Sequence, residues 1–295
     1  MTIALETFGK KVVDLVLSNS APWVRPWGAN QAKGLPVNAL TGKAYRGCNI
    51  MLLLSTPFKS RGWLTFKQVS SLGGKVKRGS KATDIFFFTK IQVEKEDSKT
   101  GEKVLVDIPC LKNFKVFNLE QCEIPSDAPL KFHPEASTDS TTDDDNTGIF
   151  DECEKLLNLS VWYEDDTKAY YIPSRDEIHL PNRRTFSSLS GFWGTAMHEL
   201  SHWTGNESRL NRDMCHSFGS QKYAREELIA EVSSWLLAVT LGTPHEPQNS
   251  AAYLASWVSD FKDKPREIYS AISQAQKVVD YLLETAGIEP QNTEL

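Results

Sequence analysis

The chain has 295 residues, 40% hydrophobic and 24% charged, with 33 Lys+Arg against 38 Asp+Glu for a formal net charge of −5. That total argues against a nucleic-acid binder, yet residues 1–125 carry 19 basic and 10 acidic residues, residues 1–81 carry 13 and 2, and residues 126–295 carry 14 and 28. No apolar run reaches the roughly 18–20 residues that cross a bilayer, the N-terminus lacks the basic region and small-residue cleavage site of a secretory leader, and five scattered cysteines without a C-x-x-C suit reduced thiols in a cytoplasm.

In chain order, Leu5, Phe8, Val12 and Leu15/Val16 recur at helical spacing and predict an amphipathic helix over 3–17. Helical patterns follow at 48–54 and 65–72. Residues 84–94, 103–108 and 113–118 are rich in β-branched and aromatic residues and predict strands, with turns at Gly73–Gly74 and Gly101–Glu102. These elements describe a small α+β domain over 1–125. Between 22 and 81, basic residues alternate with aromatic ones: Trp23, Arg25, Trp27, Lys43, Tyr45, Arg46, Trp63, Lys67, Lys75, Lys77 and Arg78. Cations that track phosphates and rings that stack bases are the chemistry of single-stranded nucleic-acid binding. Each residue also has a plainer reading, the Trp as core and the Lys as solvated surface. TGKAYRG contains the Gly-Lys of a P-loop, but G-x-x-x-x-G-K-[ST] is absent, which excludes that NTPase site.

Residues 126–148, together with Pro125, are rich in Ser, Thr, Asp and Pro, and their second half has no large apolar residue. Such a stretch cannot bury enough surface to offset its ordering entropy and reads as an acidic linker. Beyond it, residues 149–295 predict a helix at 149–158, short strands at 169–173 and 177–181, and helices at about 187–203, 223–241, 250–261 and 265–286. The fold class expected is therefore α+β, a small α+β domain followed by a mostly helical one.

The helical half contains His198-Glu199-Leu200-Ser201-His202. H-E-x-x-H on a helix sets two imidazoles one turn apart on one face, able to share a zinc ion, and puts the glutamate where it can take a proton from the metal-bound water. Leu189, Phe192/Trp193, Ala196/Met197 and Leu200 supply an apolar stripe, Thr185, Ser187 and Ser188 are candidate caps, and Gly205 follows as a stop. A catalytic zinc keeps three protein ligands and one open position. Ser208 stands where a metzincin has its third His. The segment 223–239 offers Glu231, the first choice, and Glu227, the second choice or a group orienting a ligand His; His216 is a weaker third. The strand EIHLP (177–181) is a candidate edge for an extended substrate.

Several longer stretches resemble the ArdC family of plasmid antirestriction proteins: PWVRPW (22–27), P-x-N-x-x-T-G-K-x-Y-R-G-x-N (36–49), WLTFKQ (63–68), GGKVKRG, AYYIPSRDEIHLP, MHELSHWTG, SRLNR (208–212) and YAREELIAE. Glu231-Val-Ser-Ser-Trp235 is similar to the E-A-x-x-F segment of gluzincins. The resemblance implies a non-specific single-stranded-DNA-binding domain followed by a zincin-like metallopeptidase domain. It implies one zinc, or another divalent ion such as Mn2+, and a cytoplasmic role protecting incoming plasmid DNA from host type I restriction enzymes during conjugation. The alternative carried by the same modules is a DNA-tethered protease acting on proteins bound or crosslinked to DNA.

Overall fold

The structure, a computed structural model, describes residues 3–17, 34–96, 103–132, 154–155, 158–165, 167–214, 217, 219–243, 261 and 263–288. The N-terminal half opens with α1 (Ile3–Leu17) and then builds β1 (Val37–Asn38), α2 (Cys48–Leu54), β2 (Gly62–Thr65), α3 (Phe66–Ser71), β3 (Lys75–Val76), β4 (Thr83–Glu96), β5 (Lys103–Asn118) and β6 (Cys122–Glu123). The main sheet has the order β1-β2-β5-β4. β1 and β2 are parallel across α2, and the other pairings are antiparallel. Thr65 caps α3 through a capping box with Gln68, which fixes the abrupt change from strand to helix at WLTFKQ.

One expectation changes here. Residues 103–108 and 113–118 are parts of a single strand, β5, which pairs with β4 from Glu96↔Lys103 to Thr83↔Val116. Pro109, opposite Lys90, does not break it. β2 covers β5 only at 116–118, so at Pro109 β5 is paired on one side alone among the described residues, the edge position that proline tolerates.

The helical half holds β7 (Ser160–Glu164), β8 (Tyr170–Ile172), β9 (Glu177–Pro181), α4 (Leu189–Trp203), α5 (Gln221–Leu241) and α6 (Pro265–Thr285). Its sheet runs β7-β9-β8. β9 is therefore central, parallel to β7 and antiparallel to β8. The strand expected to offer a free edge has both edges occupied, and β7 and β8 are the edge strands. Ser188 caps α4, Ser220 caps α5, and Gly242 ends α5 in the left-handed conformation. The expected helices at 149–158 and 250–261 lie largely or wholly outside the described residues. No described helix is long and apolar enough to cross a membrane.

The two halves share one core. α6 is strongly amphipathic. Its residues Ile268, Ala271, Ile272, Ala275, Val278, Val279 and Leu282 are all buried, in one cluster with Leu228 and Trp235 of α5 and with Phe8 and Val12 of α1. Phe8 sits edge-on to Tyr269 of α6 at 5.2 Å and to Phe86 of β4 at 5.6 Å. Arg46 pairs with Asp280, and the Gly47 N–H donates to Gln276 Oε1 at 2.7 Å. Residues 126–132, at the start of the expected linker, are held to the first half: the Lys131 N–H donates to the Ala39 carbonyl at 2.9 Å, and Phe132 lies under the Arg61 guanidinium. Residues 133–148 lie outside the described residues.

Gly9 is where α1 meets α6: a Cβ there would stand 2.2 Å from Pro265 Cβ. Gly9→Ala should gain about 0.5–1 kcal/mol of helix propensity and lose about 1–3 kcal/mol to overpacking. The expected result is a lower Tm in thermal unfolding followed by circular dichroism; a rise in Tm would show that α1 and α6 do not pack this closely.

Candidate metal centre

α4 presents His198, Glu199 and His202 toward α5, all at least largely buried. The two ring Nε2 atoms face each other at 3.2 Å. Glu227 of α5 reaches both: Oε2 lies 3.5 Å from His198 Nε2 and Oε1 3.6 Å from His202 Nε2. His198, His202 and Glu227 form the one group among the described residues whose ligand atoms gather closely enough to hold an ion. Two nitrogens about 2.0–2.1 Å from zinc at the tetrahedral angle stand about 3.3 Å apart, so the nitrogen spacing fits such a metal and the carboxylate is only slightly long.

Glu231, the first choice from sequence, is not in that group. Its Oε2 lies 3.3 Å from His198 Nδ1, on the far side of the ring from Glu227. The approach is off-line for a hydrogen bond, and Nδ1 has no aligned partner. The i, i+4 relation of Glu227 and Glu231 is real, but the imidazole lies between them: one carboxylate faces Nε2 and the other faces Nδ1. His216 lies outside the described residues.

His202, by contrast, is hydrogen-bonded from behind. Its Nδ1 is 3.2 Å from Glu226 Oε1. Arg212 grips that glutamate, donating from Nη2 at 2.8 Å and from Nε at 3.0 Å, and also donates to Thr204 Oγ1 at 2.8 Å and to the Ser201 carbonyl at 2.7 Å. Gly205 makes room for this grip. A Cβ at 205 would lie 2.9 Å from Arg212 Nη2 and 2.4 Å from Met214 Sδ. The glycine read as a helix stop therefore serves close packing, and α4 ends at Thr204 in ordinary right-handed geometry. Arg209 lies 3.7 Å over the Trp203 ring and pairs with Asp176, which gives HWTG and SRLNR one shared purpose.

The electrostatics follow from crowding anions and imidazoles in a dry place. Burial opposes protonation of His198, but Glu227, Glu231 and Glu199 outweigh it and hold its pKa well above the ordinary value. Burial raises the Glu199 pKa, and Glu227 adds to this, against His198, His202 and a backbone N–H from Tyr171. Burial would raise Glu227 and Glu226 too; the neighbouring imidazoles, with Tyr223 at Glu227 and Arg212 at Glu226, bring both below the usual carboxylate range. The site thus draws positive charge strongly, and a divalent cation would satisfy Glu227 and two neutral ring nitrogens at once. The cleft in front measures about 340 Å³ and is lined by these groups with Ala169, Tyr170, Tyr171, Pro173, Met214 and Tyr223, so β8 forms one wall.

The residues expected to touch nucleic acid divide. Trp23, Arg25 and Trp27 lie outside the described residues. Tyr45 and Trp63 are 1% and 2% exposed; they fill the core beside Leu53, Ile85 and Val116 and have no face for a base. Arg46 is tied to Asp280 and Lys43 is half-buried. Lys67, Lys75, Lys77 and Arg78 are exposed on α3 and the packed turn around β3, with Lys77 donating to the Glu120 carbonyl. Phe66 beside them is 61% exposed. Sequence reasoning missed Glu226, Arg212 and Tyr223; a buried charge pair has no spacing signature of its own.

Two family profiles match the chain: the N-terminal domain of anti-restriction factor ArdC over residues 4–117 and a zincin-like metallopeptidase over 154–274. The metal-free crystal structure of the antirestriction protein ArdC from plasmid R388 is 31% identical, with full coverage of both chains and a TM-score of 0.76. Its Mn(II)-bound structure gives 31%, coverage of 97% and 98%, and 0.74. A DNA primase TraC of Escherichia coli is 34% identical over 98% of this chain, which spans only 28% of that protein's length. An uncharacterised protein of Sinorhizobium fredii is 25% identical over 94% of this chain and 90% of its own.

Glu226→Gln should weaken divalent-metal affinity about 10- to 100-fold in calorimetric titration, as loss of a group orienting a ligand His does. Arg212→Ala should lower stability by about 3–5 kcal/mol, because it strands the buried Glu226 carboxylate. Unchanged metal affinity in the first variant would remove Glu226 from this role.

Proposed function

From the premise that the chain belongs to the ArdC antirestriction family, we propose that it binds single-stranded DNA non-specifically through its basic N-terminal half, protects entering plasmid DNA from host type I restriction, and hydrolyses peptide bonds at the His198–His202–Glu227 centre. The observation that carries the enzymatic part is the gathering of three ligand atoms with Glu199 in one cleft. A divalent ion bound there, Zn2+ or Mn2+, would polarise a carbonyl and lower the pKa of a water.

The residues then have separable tasks. His198, His202 and Glu227 would hold the ion, while Glu226 bonds the His202 ring from behind and Glu231 sets a negative charge behind the His198 ring. An extended peptide pairs with the outer edge of β8, whose residues Tyr170 and Tyr171 wall the cleft. Water adds to the carbonyl as its proton passes to Glu199. Glu199 returns that proton to the departing amine as the C–N bond breaks. Burial raises the Glu199 pKa, which makes it a better proton acceptor than an exposed carboxylate. DNA binding is supported by the exposed Lys67, Lys75, Lys77 and Arg78 next to the exposed Phe66 ring, a mixture suited to phosphates and stacked bases.

Glu199→Gln should retain metal and DNA and lose peptide hydrolysis by about 10²–10⁴-fold; full proteolysis by this variant would end the assignment. Its protection phenotype separates two roles. Survival of protection means that DNA coating suffices, and loss means that a DNA-tethered protease does the work. Glu227→Ala should abolish metal binding, and Glu231→Gln should only weaken it; the reverse order would restore Glu231 as ligand. DNA affinity should fall steeply with salt.

A further inference from the structure

A second cleft, about 360 Å³, lies where α6 meets the N-terminal half. Arg46, Phe87 and Phe88 line it from one side, and Tyr269, Ile272 and Gln276 from the other. Phe88 is 55% exposed although it stands beside a well-packed core. Its ring and that of Tyr269 lie 5.4 Å apart at 41°, the two sides of an open aromatic corner. Lys90, two residues on and so on the same face of β4, is exposed.

The polar groups in this cleft are already committed. Asn49 donates to the Phe86 carbonyl at 2.9 Å and accepts from its N–H at 2.7 Å. Gln276 accepts from the Gly47 N–H and donates to Asp280. The Ser273 hydroxyl donates to the Tyr269 carbonyl. Asp280 faces Arg46, which disfavours a phosphate at that guanidinium and leaves the exposed Lys90, on the same strand face as Phe88, as the cation for one. What remains on offer is ring surface with a positive charge beside it. That combination takes a planar group on a polyanion and gives no edge-reading hydrogen bonds.

We propose that this cleft takes one unpaired base of a DNA strand, stacked on Phe88 and turned against Tyr269, with its phosphate toward Lys90. The last helix of the peptidase half is thereby part of the DNA-binding surface. The proposal rests on the single-strand reading above and sharpens it: recognition here is by stacking and is indifferent to base identity.

The test is fluorescence anisotropy of labelled oligothymidylate and oligodeoxyadenylate with the full chain. Phe88→Ala should weaken binding of both about 5- to 100-fold, the range of one base–aromatic stack, and Phe88→Trp should restore it. Because Phe88 is exposed, circular dichroism should be unchanged in both variants. If the wild type binds and Phe88→Ala binds equally well, the cleft is excluded and the single-strand reading stands. If the wild type itself does not bind, both fall. Weakening confined to one oligonucleotide would overturn the indifference to base.

Discussion

Arg212 and Glu226 form a buried ion pair, with side chains 5% and 10% exposed, and the functional half is organised around it. Two charges taken out of water cost several kcal/mol each unless every partner is supplied. Here partners surround the pair: Thr204 and the Ser201 carbonyl on the end of α4 accept from the guanidinium, and His202 Nδ1 meets the Glu226 Oε1 that Arg212 Nη2 also reaches. The same contacts therefore end α4, dock it on α5 and fix which nitrogen of His202 faces the cleft. They also explain why a glycine must follow Thr204, since only a residue without Cβ lets the guanidinium pass.

How far this was legible in the sequence depended on whether a signal is local. H-E-x-x-H, the amphipathic stripes and the cap at Ser188 are written within a few residues of where they act, and α1, α4 and α5 fall close to their predicted spans. Which carboxylate joins the two His Nε2 atoms was not legible to one helical turn. Glu227 and Glu231 share a face, and only the placement of the His198 ring between them puts one at Nε2 and the other at Nδ1. The aromatic residues misled for a related reason. Trp63 and Phe66 sit three positions apart in one motif, yet one is sealed in the core and the other lies in water. Composition detects such rings without knowing that the chain passes from β2 into α3 between them. β7 went unseen, because its Val161 and Tyr163 alternate with Trp162 over too short a run to stand out.

The charge division seen in the sequence acquires a physical form in α6. This helix belongs by position to the acidic half, and it lies against α5, which bears the glutamates, and against α1, α2 and β4 of the basic half. The halves are chemically unlike, yet residues of both lie in one buried cluster. Arg46 shows the consequence at a single residue: it was expected to face a phosphate and instead spends its charge on Asp280 in holding the halves together.

That arrangement bears on how the chain is made. Phe8 and Val12 are synthesised about 250 residues before the surface that covers them, around Ile268, Tyr269 and Ile272. At roughly 5–20 residues per second the wait is on the order of tens of seconds. Throughout it, the apolar face of α1 has no native cover from α6. The nascent basic half must be tolerated in that unfinished state, by chaperones or by its own charge repulsion, until the last helix arrives to close it.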